Sequence, residues 1–141
     1  MDANLLNCTI WNYSADNTNQ RGDLWNDEDL SIFSRDQQDA ADIHSGGRGL
    51  PAIVRPYARK IAGEPVRMCF ELTTKTFELD FRHDPAIIAP TEIFLPDYQY
   101  PHGYTVELSD GDYRIEGDLL LVEHTTAQAT HTVRVAPKTG L

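Results

Sequence analysis

Trp11, Asn12 and Tyr13 end a short apolar run, Leu5 to Trp11, and open a polar loop within the stretch "NLLNCTIWNYSADNTNQRGDLWNDEDLSIF". An aromatic at the end of such a run faces something and offers it a flat apolar surface. Asp16, Asn17, Asp23 and Trp25 share the loop and supply carboxylates, an amide and a second indole. The plain alternatives are that Trp11 packs into a core, as most tryptophans largely do, and that Asn and Asp are there because they form loops well.

Acid–base chemistry needs carboxylates brought together, and few here suggest it. Asp27, Glu28 and Asp29 are adjacent, which reads as solvated surface or as the start of a helical turn. Glu92 and Glu107 fall on expected strands with nothing to place them in a cleft. His44, His83, His102, His124 and His131 show no ligand spacing and are expected at the surface. No G-x-S-x-G elbow occurs, and Gly103 and Asp110-Gly111 are turn chemistry. Cys8 and Cys69 match no disulfide framework or metal spacing and are expected to be buried. The residues imply no metal and no cofactor.

The elements that would position these residues fall into three regions. The chain has 141 residues, 40% of them apolar, enough for one ordinary domain. No apolar run approaches the roughly 20 residues that span a bilayer. Met1-Asp2-Ala3-Asn4 lacks the start of a signal peptide, so an intracellular chain is expected as written. Asn7-Cys8-Thr9 and Asn12-Tyr13-Ser14 match the glycosylation pattern, but Asn7 lies in an expected buried strand. A formal charge of −10 argues against nucleic acid or an anionic membrane as main partner. Residues 48–63 alone carry bases without acids: Arg48, Arg55, Arg59 and Lys60, either an electrostatic seam between acidic regions or a solvated helix face.

The first region, to about residue 47, is one strand-like run and a long loop, closed by the flexible break "HSGGRG". The second, Leu50 to Gly63, reads as a helix with a kink or restart at Pro56, because Ile53, Val54, Tyr57, Ala58 and Ile61 recur at helical spacing. The third is β throughout. Met68, Phe70 and Leu72, then Phe77, Leu79 and Phe81, alternate with polar residues around a turn at Thr73-Thr74-Lys75. Further strands are expected at Thr91–Leu95, Tyr104–Ser109, Leu119–His124 and Thr130–Ala136, making an antiparallel β-sandwich of six to eight strands.

The leading strand then has no partner, and here the residues become familiar. "LLNCTIWNYSADN", "GDLWNDEDLSIFSRDQ", "GLPAIVRPYARKIAGEP", "APTEIFLP" and "YPHGYTVELSDG" together resemble the C-terminal end of family 5 glycoside hydrolases. The similarity is to the endoglycoceramidase-related branch, with its fungal members acting on glucosylceramide or steryl glucosides. That resemblance implies a mostly β chain: residues 1–63 the last strand, loop and helix of an incomplete (β/α)8 barrel, and residues 64–141 the C-terminal sandwich. It implies that Trp11 lines the subsite for the cleaved glucose, with Asn12, Tyr13, Asp16 and Asn17 as further substrate-binding candidates. A Trp at the C-terminal end of a barrel strand is well placed for this, since barrel sites lie in the βα loops.

The same resemblance implies that this chain alone lacks catalysis. Retaining glycosidases need two carboxyl groups about 5–5.5 Å apart, and in this family both are glutamates on earlier barrel strands. The expected substrate of a full-length parent is a glucosyl lipid, with peripheral membrane contact and no transmembrane segment. The competing expectation is a stand-alone, non-catalytic sandwich that binds carbohydrate or a partner protein, with Tyr98, Tyr100 and Tyr104 as its platform. Against that platform, Tyr104 alternates with Val106 and Leu108 as a core residue would, and Tyr98 and Tyr100 would cover a loop.

Overall fold

The computed structural model describes residues 2–138. The chain divides into two compact units: Cys8–Ile53, and a unit made of the described residues up to Asn7 together with those from Val54 onward.

The larger unit is the sandwich. Its eight strands are β1 (Tyr57–Lys60), β2 (Gly63–Glu71), β3 (Thr76–His83), β4 (Thr91–Phe94), β5 (Tyr104–Leu108), β6 (Asp112–Glu116), β7 (Leu119–Glu123) and β8 (Thr130–Pro137). They form two sheets, in the orders β1-β4-β7-β6 and β2-β3-β8-β5, with every pairing antiparallel. Successive side chains on a strand point to opposite faces. On β3 this sends Phe77, Leu79 and Phe81 inward, each 0% exposed, and leaves Glu78 and Asp80 outward. They meet Phe70, Ile93, Leu95, Leu120, Val122, Val133 and Val135 in one cluster fed by both sheets. Each such side chain contributes about 1.5–3 kcal/mol on burial.

The expected hairpin is present, with Phe70 opposite Phe77 and Met68 opposite Leu79. Pro65 is tolerated because β2 is an edge strand and its register shifts between Pro65 and Arg67. Gly63 starts β2 at φ +153°, where an added Cβ would sit 1.9 Å from the Arg82 carbonyl oxygen. Only glycine allows that approach.

Three expected elements come out differently. The helix over Leu50–Gly63 is a four-residue piece, α1 (Leu50–Ile53), after which the chain becomes β1. Pro56 has no N–H to give a helix and pushes Arg55 out of helical geometry, while Tyr57 and Ala58 pair with Phe94 and Ile93. The apolar spacing there serves a sheet edge: Ala58 and Ile61 pack on the core and Ala62 is 1% exposed. The basic residues also find separate partners, Arg48 on Asp29, Arg55 on Asp2 and Lys60 on Glu92.

The run Leu5–Trp11, expected as a strand, follows a 3₁₀ turn (Asp2–Asn4) and joins no ladder among the described residues. A strand exists only against a neighbour, and here Asn7, Leu6 and Ile10 are exposed. Strand β6, conversely, is not expected from the sequence, because Asp110-Gly111-Asp112 reads as a turn and all five of the strand's residues are exposed.

The buried cysteines are also overturned. Cys8 is exposed on the unladdered run, and Cys69 is half-buried on β2 opposite Glu78. Tyr100, expected to cover a loop, is 3% exposed within the core, whereas Tyr104 packs on the core's edge as its alternation implied. The N-terminal 3₁₀ turn packs on β2, and Asp2 Oδ1 accepts from Arg55 Nη2 at 2.8 Å.

Candidate functional site

The Cys8–Ile53 unit has little regular structure, so its shape comes from side chains bonded to backbone. Asn12 is one organiser: its N–H donates to the Leu30 carbonyl at 3.3 Å and its carbonyl accepts from Ile32 N–H at 2.8 Å. The Trp11–Asn12 peptide is cis. Asn12 Nδ2 donates to Asp23 Oδ2 at 3.0 Å, and the same carboxylate accepts from the backbone N–H groups of Trp25 and Leu30 at 3.0 and 3.2 Å. Asp23 thus ties the start of the loop to its far side.

This arrangement brings the two indoles together. The rings of Trp11 and Trp25 lie 6.2 Å apart at 63°, an edge-to-face pair worth about 0.5–1.5 kcal/mol. Both remain open, 65% and 56% exposed. Tyr13, 64% exposed, leans on Phe33 with ring centroids at 5.6 Å. The result is an apolar surface edged by the polar Asn12–Asp23 pair.

The other expected residues serve the loop itself. Asn17 is fully buried; its Nδ2 donates to the Phe33 carbonyl at 2.9 Å and its own carbonyl accepts from Arg35 N–H. Buried in this way it presents nothing to a ligand. Asp16 Oδ2 is held by Arg21 Nη2 at 2.9 Å.

Arg48, expected in an electrostatic seam or on a solvated helix face, is a hub of the loop's own hydrogen bonds. It reaches Asp29 at 2.6 Å, the Ser31 carbonyl at 3.3 Å and Asn19 Oδ1. The hydrogen bond from Arg48 holds the Asp29 carboxyl below its ordinary range, against the opposing effect of burial. Ser34, with help from the Asn19 backbone, does the same for Asp36. The break expected at "HSGGRG" is a packed turn: Ser45 and Gly46 are buried, and the carbonyl of Gly46, at φ +80°, accepts from Ser34 N–H. A Cβ on Gly46 would meet the Phe33 ring at 2.6 Å.

The loop therefore presents an exposed aromatic surface, while Asp16, Asp23, Asp29 and Asp36 are each engaged in holding the loop. No group of three His, Cys, Asp or Glu side chains among the described residues is arranged to hold a metal. Nor, among them, is any helix long and apolar enough to cross a membrane.

Residues 55–135 match the glycoside hydrolase family 5 C-terminal domain, which covers nearly the whole sandwich. The chain belongs to that family. The relationship extends beyond this domain into the aromatic loop. A glucosylceramidase from Rhizopus delemar is 35% identical over 114 residues, 71% of this chain. A crystal structure of sterylglucosidase 1 from Cryptococcus neoformans superposes with a TM-score of 0.87 at 30% identity over 99% of this chain. Endo-glycoceramidase II from Rhodococcus sp. superposes at 0.60, with 25% identity over 79%. This family 5 C-terminal domain and its preceding loop amount to 17% of the Rhizopus protein, and 23% and 24% of the two solved chains.

Proposed function

We propose that the chain is the C-terminal part of a longer retaining β-glycosidase that hydrolyses a glucosyl lipid, glucosylceramide or a steryl glucoside. In this reading residues 1–63 are the last barrel unit, residues 64–141 buttress it, and Trp11 carries the glucose face. The carrying observation is coverage: the match to sterylglucosidase 1 takes in 99% of this chain but only 23% of that one. The exposed Trp11–Trp25 pair supports the role of the loop, since an indole face beside polar side chains suits the apolar face of a sugar. The 141 residues alone catalyse no hydrolysis in this reading, because the carboxylates around Trp11 hold the loop instead of flanking a bond.

The test is the size of the native polypeptide, probed in a cell extract with an antibody raised against residues 64–141. A barrel of roughly 250 residues is expected upstream, so the band should run several times heavier than 15.9 kDa. The purified long form should release glucose from a glucosyl lipid, and its Trp11→Ala variant should lose at least about tenfold in kcat/KM. A single band at 15.9 kDa would overturn the reading and leave a non-catalytic sandwich.

A further inference from the structure

At one end of the sandwich three imidazoles meet, His131 buried and His83 and His124 half-buried. His83 ends β3, His124 follows β7 and His131 lies near the start of β8. Their ring centroids lie 4.9 Å (His83–His124), 4.8 Å (His124–His131) and 5.2 Å (His83–His131) apart. Phe81 closes one side, 4.9 Å from His124 and 5.4 Å from His131. His131 is 2% exposed, with Nδ1 against Asp110 Oδ1. Asp110 is anchored in turn by Thr125, whose N–H and Oγ1 donate at 3.2 and 2.5 Å. The cluster thus joins the ends of three strands to the β5–β6 turn.

Two imidazole nitrogens in this group, His131 Nε2 and His124 Nδ1, are buried without a hydrogen-bond partner. A neutral ring tolerates that, because the unpaired nitrogen is then only a lone pair. A protonated ring does not: the new N–H is a buried donor with no acceptor, and its charge lies about 5 Å from two more imidazoles.

We propose that the His83–His124–His131 cluster is an acid-sensitive latch, closed while the His124 ring is neutral and loosened when that ring takes up a proton. It acts within the sandwich and is independent of the glycosidase reading. Among the described residues the charged groups that flank it in the chain are few, and apart from Asp110 they are exposed. From β3 come His83 itself with Arg82 and Asp84 beside it, and Arg82 pairs with Glu64 at 3.3 Å. From β7 comes Glu123, which pairs with Arg114, and from the β5–β6 turn come Asp110 and Asp112. Among the described residues, Asp110 is the carboxylate that bonds the cluster, through His131.

A cavity of about 290 Å³, lined by His83, His124, Val122, Pro85, Ile87 and Ile88, opens beside it and gives protons a route in. Burial, then the His131 and His83 charges, push His124 below the ordinary histidine value of 6.5, with Asp110 opposing. The folded state therefore binds fewer protons than the unfolded one. Stability is full above pH 6.5 and falls as pH drops from there to the lowered folded value.

The experiment is amide hydrogen exchange on the 141-residue chain, reading core amides of β3, β7 and β8 from pH 7.5 to 5, corrected for intrinsic rates. The closed-to-open ratio should fall by up to about tenfold per pH unit within the window. His124→Phe should flatten that fall, and His102→Gln, at an exposed site, should keep it. A flat profile in the unaltered chain, or the same slope in His124→Phe, overturns the latch. If His124→Phe does not fold, ring titration by NMR of the unaltered chain decides: His124 should titrate below 6.5, and titration at or above it refutes the proposal.

Discussion

Asn17 and Trp11 show what a single residue's identity does and does not disclose. Both lie in the same loop and both were expected to touch a substrate. Trp11 stands open beside Trp25, whereas Asn17 is fully buried and holds the Phe33 carbonyl. An asparagine that binds a ligand and one that ties a loop look alike in a sequence, because the amide does both with the same atoms. Removing the amide leaves the Phe33 carbonyl without its donor, so Asn17→Ala should destabilise the Cys8–Ile53 unit by about 1–3 kcal/mol. Both tryptophans report on that unit, so urea unfolding followed by their fluorescence should show the loss. Trp11→Ala should cost the same unit about 1 kcal/mol or less, since it removes only the edge-to-face pair and exposed area. The inward-facing histidines, His131 buried and His83 and His124 half-buried, are legible in the alternation although the sequence reading expects them at the surface. His83 continues the inward row Phe77, Leu79, Phe81; His124 continues Leu120, Val122; and His131 leads into Val133, Val135. Alternation in register with a core row outweighs polarity as a guide to burial.

Among the elements, the β2–β3 hairpin was readable because one buried face and one charged face impose a strict period of two. The stretch from Leu50 to Gly63 was misread because Tyr57, Ala58 and Ile61 fit helical spacing by number, while Pro56 had already removed the helix. β6 was hidden because none of its residues is buried. Gly63→Ala tests the close approach at the start of β2. The clash with the Arg82 carbonyl should destabilise the sandwich by more than about 1 kcal/mol, measured by denaturant midpoint at constant m. The run Leu6–Trp11, with no ladder among the described residues, should exchange its amides rapidly in the 141-residue chain. In a longer parent whose barrel supplies neighbouring strands, the same amides should be protected. Equal exchange in both forms would count against that run as a barrel strand.

Across the whole molecule, 22 acidic groups face 12 basic ones. The outer face of the β2-β3-β8-β5 sheet offsets part of this with a chain of ion pairs: Arg67 with Glu78 at 2.8 Å and Asp80 at 3.5 Å, Arg134 with Glu78 at 3.7 Å and Glu107 at 3.2 Å. These pairs are substantially exposed, and such pairs are worth about 0–1 kcal/mol each. Self-repulsion from the excess negative charge outweighs them, so raising salt from 10 to 150 mM should raise the thermal midpoint slightly; a fall would show the ion-pair chain to dominate. The β-sandwich as a class was legible from strand spacing. The two-unit division was not, because it depends on where the chain leaves and rejoins one body.

That division has a consequence for how the protein can be taken apart. The chain leaves the sandwich unit after Asn7 and returns at Val54, and the Asp2–Arg55 pair ties the two crossings at 2.8 Å. The intervening residues are therefore an insert held at its neck, and closing a loop of about fifty residues costs on the order of 3 kcal/mol in chain entropy beyond a constant. A short graft from Asn7 to Val54 would lift that cost and excise the aromatic loop as a cassette. The strands, all of which follow Val54, would lose nothing from their ladders.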